Sequence, residues 1–129
     1  MARRSSNGPT EAELEILNVL WQRGPSTVRD VYESLNKLRR TGYTTALKLL
    51  QIMTDKGLVK RDVSSRSHVY EPAIERETVQ RKVISLIIGR AFEGSCSKLI
   101  IQAIRAGQLT PSELDEIRRT IDECSGQAK

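Results

Sequence analysis

A mainly α chain interrupted once by a short β-hairpin is the fold class that this sequence predicts, and three observations carry it. Apolar residues recur at helical spacing in six separate stretches, whereas from Leu58 to Tyr70 they alternate as in paired strands. Hydrophobic residues make up 38% of the chain with one Trp, one Phe and three Tyr, so the core is aliphatic, as in helices packed on helices. The length of 129 residues allows one medium domain or two small modules and leaves little room for a cleft between large domains.

Lys and Arg total 21 against 16 Asp and Glu, a net charge of +5, which favours a polyanionic partner. The excess is uneven: residues 1–72 hold 12 basic and 8 acidic side chains, residues 73–129 hold 9 and 8. The front half carries the charge. No apolar run approaches the roughly 18 residues of a membrane span and no secretory h-region is visible, so no membrane insertion is expected and the expected location is cytoplasmic. Cys96 and Cys124 are too few for a disulfide framework or a Cys-only zinc site. Both are expected as free thiols, with no metal and no cofactor.

Residues 1–8, MARRSSNG, are polar, basic and aperiodic, and are expected to form a flexible arm whose Arg3 and Arg4 either touch phosphate or do nothing. Thr10 and Glu13 then form a Thr-x-x-Glu capping box, each side chain satisfying a backbone donor at the start of a first helix. Leu14, Leu17, Leu20 and Trp21 line its inner face, and Gly24 with Pro25 ends it. Ser26 is expected to cap a second helix that runs to Lys37, with Val28, Val31 and Leu35 inward and Arg29, Asp30 and Glu33 outward. Residues 36–42 are a polar connector in which Lys37, Arg39 and Arg40 can lie near a phosphate.

Ala46, Leu49, Leu50 and Met53 define the buried face of a third helix. That face leaves Thr44, Thr45, Lys48 and Gln51 outside as donors and acceptors, and Gly57 after Lys56 ends the helix with a left-handed residue. Leu58, Val59, Arg61 and Val63 read as a strand, residues 64–67 as a turn, and His68, Val69 and Tyr70 as the returning strand closed by Pro72. Three helices followed by a basic hairpin is the order of a winged helix-turn-helix, whose third helix enters the major groove of double-stranded DNA while the wing straddles the backbone. Base reading then falls to Thr44, Thr45, Lys48 and Gln51, and backbone contact to Arg61, Arg66, His68, Arg39 and Arg40. On these residues alone the alternative is an ordinary amphipathic surface helix followed by a plain β-ribbon.

Three runs, GPTEAELEILNVLWQRGPSTVRDVYESL, GYTTALKLLQIMTDKGLVKR and HVYEP, closely resemble the amino-terminal domain of the BlaI/MecI/CopY repressors, the penicillinase-repressor family. The most specific pieces are residues 13–21, 43–45 and 56–59, matched in the same order, and the resemblance covers nearly the whole chain. It implies a transcriptional repressor that binds an inverted-repeat operator as a homodimer through a carboxy-terminal dimerisation domain, with an upstream sensor or protease as a further partner. Penicillin-responsive members are cut at an Asn-Phe bond in the helix after the glycine. The corresponding stretch here, residues 100–104, has Gln102 and Ala103 at that bond, so a protease specific for Asn-Phe is not expected to cut there. Copper-responsive members use paired cysteines near the carboxy terminus; only Cys124 lies there, so copper sensing is not expected.

Residues 75–92 carry Val79, Val83, Leu86, Ile87 and Ala91 at helical spacing, with Ile84, Ile88 and Phe92 in addition, too apolar for a helix packed on one side. Ser95 can cap a shorter helix holding Leu99, Ile100, Ala103 and Ile104, which ends at Gly107. Thr110, Pro111 and Glu113 open a last helix that uses Leu114, Ile117 and Ile121. Three such helices cannot bury this much aliphatic surface within one chain. Val83, Ile87, Phe92, Leu99, Ile104, Leu114 and Ile117 are therefore expected at a homodimer contact; the alternative is packing back on the winged helix. The expected division is arm 1–8, winged helix 9–73, dimerisation domain 74–125 and tail 126–129.

Enzyme readings fail on the residues themselves. The sole histidine, His68, sits in the hairpin with neither cysteine nearby, and no Gly-x-Gly-x-x-Gly, P-loop or His-Glu-x-x-His run is present. The reading from another class is a winged-helix protein-interaction module without nucleic-acid binding, which would show little salt dependence toward DNA.

Overall fold

The structure, a computed structural model, describes residues 9–38 and 40–127. The expected arm, residues 1–8, lies outside that range. The first helix, α1, spans Glu11–Arg23 and opens on the expected capping box: Thr10 N–H donates to Glu13 Oε1 at 2.9 Å and Glu13 N–H to Thr10 Oγ1 at 3.2 Å. Its buried stripe is Ile16, Leu17, Val19 and Leu20, with Leu14 and Trp21 only half-buried. Trp21 stays at the edge because its indole N–H donates to the Ile74 carbonyl at 3.2 Å and its ring carries the Arg76 guanidinium 5.6 Å from the centroid.

Strand β1, Ser26–Thr27, is not expected from the sequence; two residues give no periodicity, and the strand exists because Ser26 and Thr27 pair antiparallel with Tyr70 and Val69. It also displaces the expected cap. Ser26 is buried with its hydroxyl donating to the Gly24 carbonyl at 2.9 Å, and Thr27 caps α2, Val28–Asn36, through a reciprocal box with Asp30 at 3.1 Å each way. The Thr27 N–H, then the Thr27 hydroxyl and Arg23, hold the Asp30 carboxyl below its ordinary 3.8 against the opposing effect of burial. A carboxyl depressed in the folded state contributes stability above the unfolded value and loses it as pH falls through the folded one. Thr27→Ala is expected to cost about 1 kcal/mol, and Asp30→Asn to lower the melting temperature at pH 7 by a margin that shrinks below pH ~4. Calorimetry across pH checks both; a margin independent of pH would show that the Asp30 charge is not what the cap uses.

Helix α3 spans Tyr43–Lys56 and buries Ala46, Leu50 and Met53. Gly57 follows at φ 82°, ψ 14°, a left-handed conformation that a side chain would strain, and the Leu58 N–H turns back to the Met53 carbonyl at 2.9 Å. That turn feeds β2, Val59–Asp62, which pairs antiparallel with β3, Val69–Pro72, in the register Val59 to Pro72 and Arg61 to Tyr70. The sheet order is β1-β3-β2. Val63 and His68, expected within the strands, fall in the loop between them. The three helices and the sheet close over Ile16, Leu17, Leu20, Val31, Leu50, Met53 and Tyr70, all at most 1% exposed.

Helix α4 spans Arg76–Ala91, α5 Cys96–Ala106 and α6 Pro111–Gln127. Ser95 caps α5, its hydroxyl accepting the Lys98 N–H at 3.2 Å, and Thr110 with Glu113 forms the expected box on α6 at 2.9 and 3.1 Å. The last helix continues two residues into the expected tail. The chain divides into two compact units, Met1–Leu86 and Ile87–Lys129, and the division falls inside α4. The reason is packing: Val79 is fully buried in the winged-helix core and Val83 is half-buried against it, so the first half of α4 belongs to that core. In the second unit none of the described residues 87–126 is buried.

Candidate nucleic-acid interface

The face of α3 opposite Ala46, Leu50 and Met53 is exposed at Thr44, Lys48, Gln51 and Asp55, one stripe at spacings of four, three and four. Thr45 is exposed on the flank of that stripe. Gly42, the N-cap, gives α3 no side-chain cap, so the first-turn N–H groups keep their capacity for an external acceptor.

A groove lies along each flank of α3. On the wing side, a cavity of about 390 Å³ is lined by Thr27, Val28 and Arg29 from the start of α2, Tyr43 and Leu47 from α3, and Arg66, Ser67, His68 and Tyr70 from the hairpin. On the other side, one of about 360 Å³ is lined by Ala12, Glu15, Leu35, Arg40, Thr41, Gly42, Thr45 and Leu49. Cationic side chains therefore stand on both sides of the polar stripe. The hairpin tip is held in shape by its own polar groups: Asp62 Oδ1 accepts the Ser64 N–H at 2.9 Å and the Ser65 hydroxyl donates to the Ser67 carbonyl at 2.8 Å. The Ser64 N–H also keeps the Asp62 carboxyl below the usual range.

The structure brings Thr44, Lys48 and Gln51 together, sets Arg66 and His68 along one flank and places Arg40 on the other. Arg61 is exposed on the side of the sheet shared with Val59 and Tyr70 and lines neither groove. Arg39 lies outside the described residues. Arg29, expected only on the outward face of α2, and Tyr43 also line the wing-side groove. Arg29 is exposed and its contact with Glu33, 3.5 Å between solvated side chains, is worth little, so its charge remains available to the groove. Tyr43 stands edge-on to Tyr32 at 5.7 Å.

Of the residues expected at a dimer contact, Val83 packs half-buried against its own winged-helix core. Ile87 is 40% exposed, Ile104 37%, and Phe92, Leu99, Leu114 and Ile117 are half-buried. Ile100, Ile101 and Ile121, outside that set, are 45%, 47% and 53% exposed. Among the described residues no three His, Cys, Asp or Glu side chains are grouped to hold a metal ion, and no helix is long and apolar enough to cross a membrane.

Arg66→Ala is expected to weaken binding to all duplex sequences about equally and to lower the slope of log affinity against log salt by about one. Titrations of two unrelated duplexes over a salt series check this. A loss confined to one sequence would mean that Arg66 reads a base or a narrow minor groove.

Helix α3, presented between Arg29 and Arg66 on one flank and Arg40 on the other and followed by a wing, defines a winged-helix DNA-binding protein. The family profile described as Penicillinase repressor matches residues 9–123. The transcriptional regulator BlaI of Mycobacterium tuberculosis is 30% identical over 115 residues, covering 88% of this chain and 82% of that protein. The penicillinase repressor of Bacillus licheniformis is 22% identical over 120 residues, covering 93% of this chain and 94% of that protein. The solution structure of the DNA-binding domain of the repressor BlaI superposes with a TM-score of 0.50 at 24% identity, over 57% of this chain and 90% of that one, a likeness of fold. The chain belongs to the penicillinase-repressor family of transcriptional regulators, which is not an enzyme class.

Proposed function

We propose that this protein represses transcription by binding an inverted-repeat operator in double-stranded DNA as a homodimer. The observation that carries the reading is the exposed stripe of Thr44, Lys48 and Gln51 held between Arg66 and His68 on one flank and Arg40 on the other. A helix with its side chains is about 10–12 Å across and the major groove about 12 Å wide, so cations on both flanks stand where the phosphates of the two strands line the groove. Thr44, Thr45, Lys48 and Gln51 read base edges, while Arg29, Arg40, Arg66 and His68 hold the backbone; Arg61, which lines neither groove, can reach it only beyond them.

Homodimerisation is supported by the aliphatic side chains left exposed at Ile87, Ile100, Ile101, Ile104 and Ile121, which one chain does not cover. A two-fold pair places two recognition helices on half-sites one helical turn or a multiple apart. Occupancy blocks polymerase, and an upstream sensor or protease releases it, without the Asn-Phe bond that Gln102 and Ala103 replace.

The test is selection of bound duplexes from the genome of origin, followed by titration over a salt series with the stoichiometry read by sedimentation. The expected result is two chains per selected duplex and a log–log salt slope of about −0.9 per phosphate neutralised. Weak binding indifferent to sequence and salt would favour the protein-interaction module instead.

A further inference from the structure

Glu13 is ionisable yet only 2% exposed, and a buried carboxylate is costly unless it is paired and hydrogen-bonded. Capping requires neither its burial nor its charge: the equivalent acid of the α2 box, Asp30, is half-buried and that of the α6 box, Glu113, is exposed. What Glu13 has in addition is Lys56, 43 positions along the chain, whose Nζ lies 3.1 Å from Oε1 and 2.9 Å from Oε2. Lys56 is the last residue of α3, directly before the left-handed Gly57 and the strand that starts the wing. Its side chain is 31% exposed, turned to α1 and not to the outer stripe.

Apart from the edge-on contact of Tyr43 with Tyr32 on α2, α3 meets the core through Ala46, Leu50 and Met53, apolar and non-directional contacts that resist separation of the helices better than a small slide or tilt against α1. A charge pair with both carboxylate oxygens engaged is directional. Such a pair adds little net stability over an apolar substitute of the same shape, but it selects one geometry. Base reading needs that selection, because a hydrogen bond to a base edge tolerates only a few tenths of an ångström.

We propose that Glu13, acting through Lys56, is a positioning residue that fixes the recognition helix against α1 and thereby sets base preference without touching DNA. The inference rests on α3 being the helix that reads DNA. The test uses the full chain, a duplex selected by the wild-type protein from a random-sequence pool, and a shuffled duplex of equal length. Glu13→Gln, which keeps an oxygen for the Thr10 N–H, and Lys56→Gln are each expected to lower the ratio of selected to shuffled affinity by about tenfold. The double variant is expected to lose no more than either single variant, and Lys56→Arg to retain the preference. Helical content and salt slope should be unchanged.

A residue with a merely structural role would lower the melting temperature and leave the affinity ratio alone at temperatures where every variant is folded. If Glu13→Gln fails to fold, the Lys56 variants, altered at a partly exposed position, carry the comparison. Ratios unchanged in the folded variants, losses that add in the double variant, or a salt slope reduced by about one in Lys56→Gln, the mark of a phosphate contact, would each overturn the positioning role. A wild-type protein that does not distinguish the two duplexes would overturn the DNA-reading function itself.

Discussion

Replacing Ile87 by aspartate is expected to leave the protein monomeric at low micromolar concentration and to abolish tight binding to a two-half-site operator. Ile87 is 40% exposed in the single chain and stands where α4 enters the second compact unit, none of whose described residues 87–126 is buried. A second copy covering that side chain would enclose an aspartate with no partner to compensate its charge, and burial of an unpaired carboxylate outweighs what one isoleucine contributes. Loss of the second recognition helix removes bivalency, worth a factor of about 10² to 10⁴ in avidity. Single-half-site binding should persist at its weaker level, since residues 9–86 hold their own core. Analytical ultracentrifugation paired with gel shifts on one-site and two-site duplexes distinguishes the outcomes. A variant that remains dimeric would move the subunit contact away from Ile87.

The second large effect belongs to the outer stripe of α3. Lys48→Ala and Gln51→Ala are each expected to cost roughly 1 to 3 kcal/mol on the operator, about a factor of 5 to 150 in affinity, and to relax the base preference at the positions they meet. The core should not notice. Both side chains are exposed and opposite Ala46, Leu50 and Met53, so melting temperatures should stay within about 2 °C, the scale of surface substitutions. Quantitative binding at fixed salt to the operator and to single-base variants reads both the loss and the relaxed preference. Wild-type affinity in both variants would mean that α3 is not the reader.

The stripe of Thr44, Lys48 and Gln51 was legible in the sequence because helical periodicity is local: once Ala46, Leu50 and Met53 are taken as the buried face, the opposite face follows. The capping boxes at Thr10 and Thr110, the cap at Ser95 and the left-handed Gly57 were legible for the same reason, since each is satisfied by backbone groups three or four residues away. Ser26 and Thr27, by contrast, are adjacent residues that can both cap, and Ser is if anything the stronger N-cap. Only the pairing of Ser26 with Tyr70 and Thr27 with Val69 draws Ser26 into a strand and leaves Thr27 to cap α2.

The same long-range closure put Arg29 beside Arg66 and His68, buried Val79 so that α4 divides after Leu86, and joined Glu13 to Lys56. None of these pairs leaves a local spacing to detect. Local chemistry was enough for which stretches are helices, for the caps of α1, α5 and α6 and the stop of α3, and for which face of α3 is polar, because those follow from hydrogen bonds and side-chain directions within a few residues. Which cations flank that face, and what holds it against α1, was decided by tertiary structure alone, because contacts between residues dozens of positions apart form only when the whole core closes and buries them together.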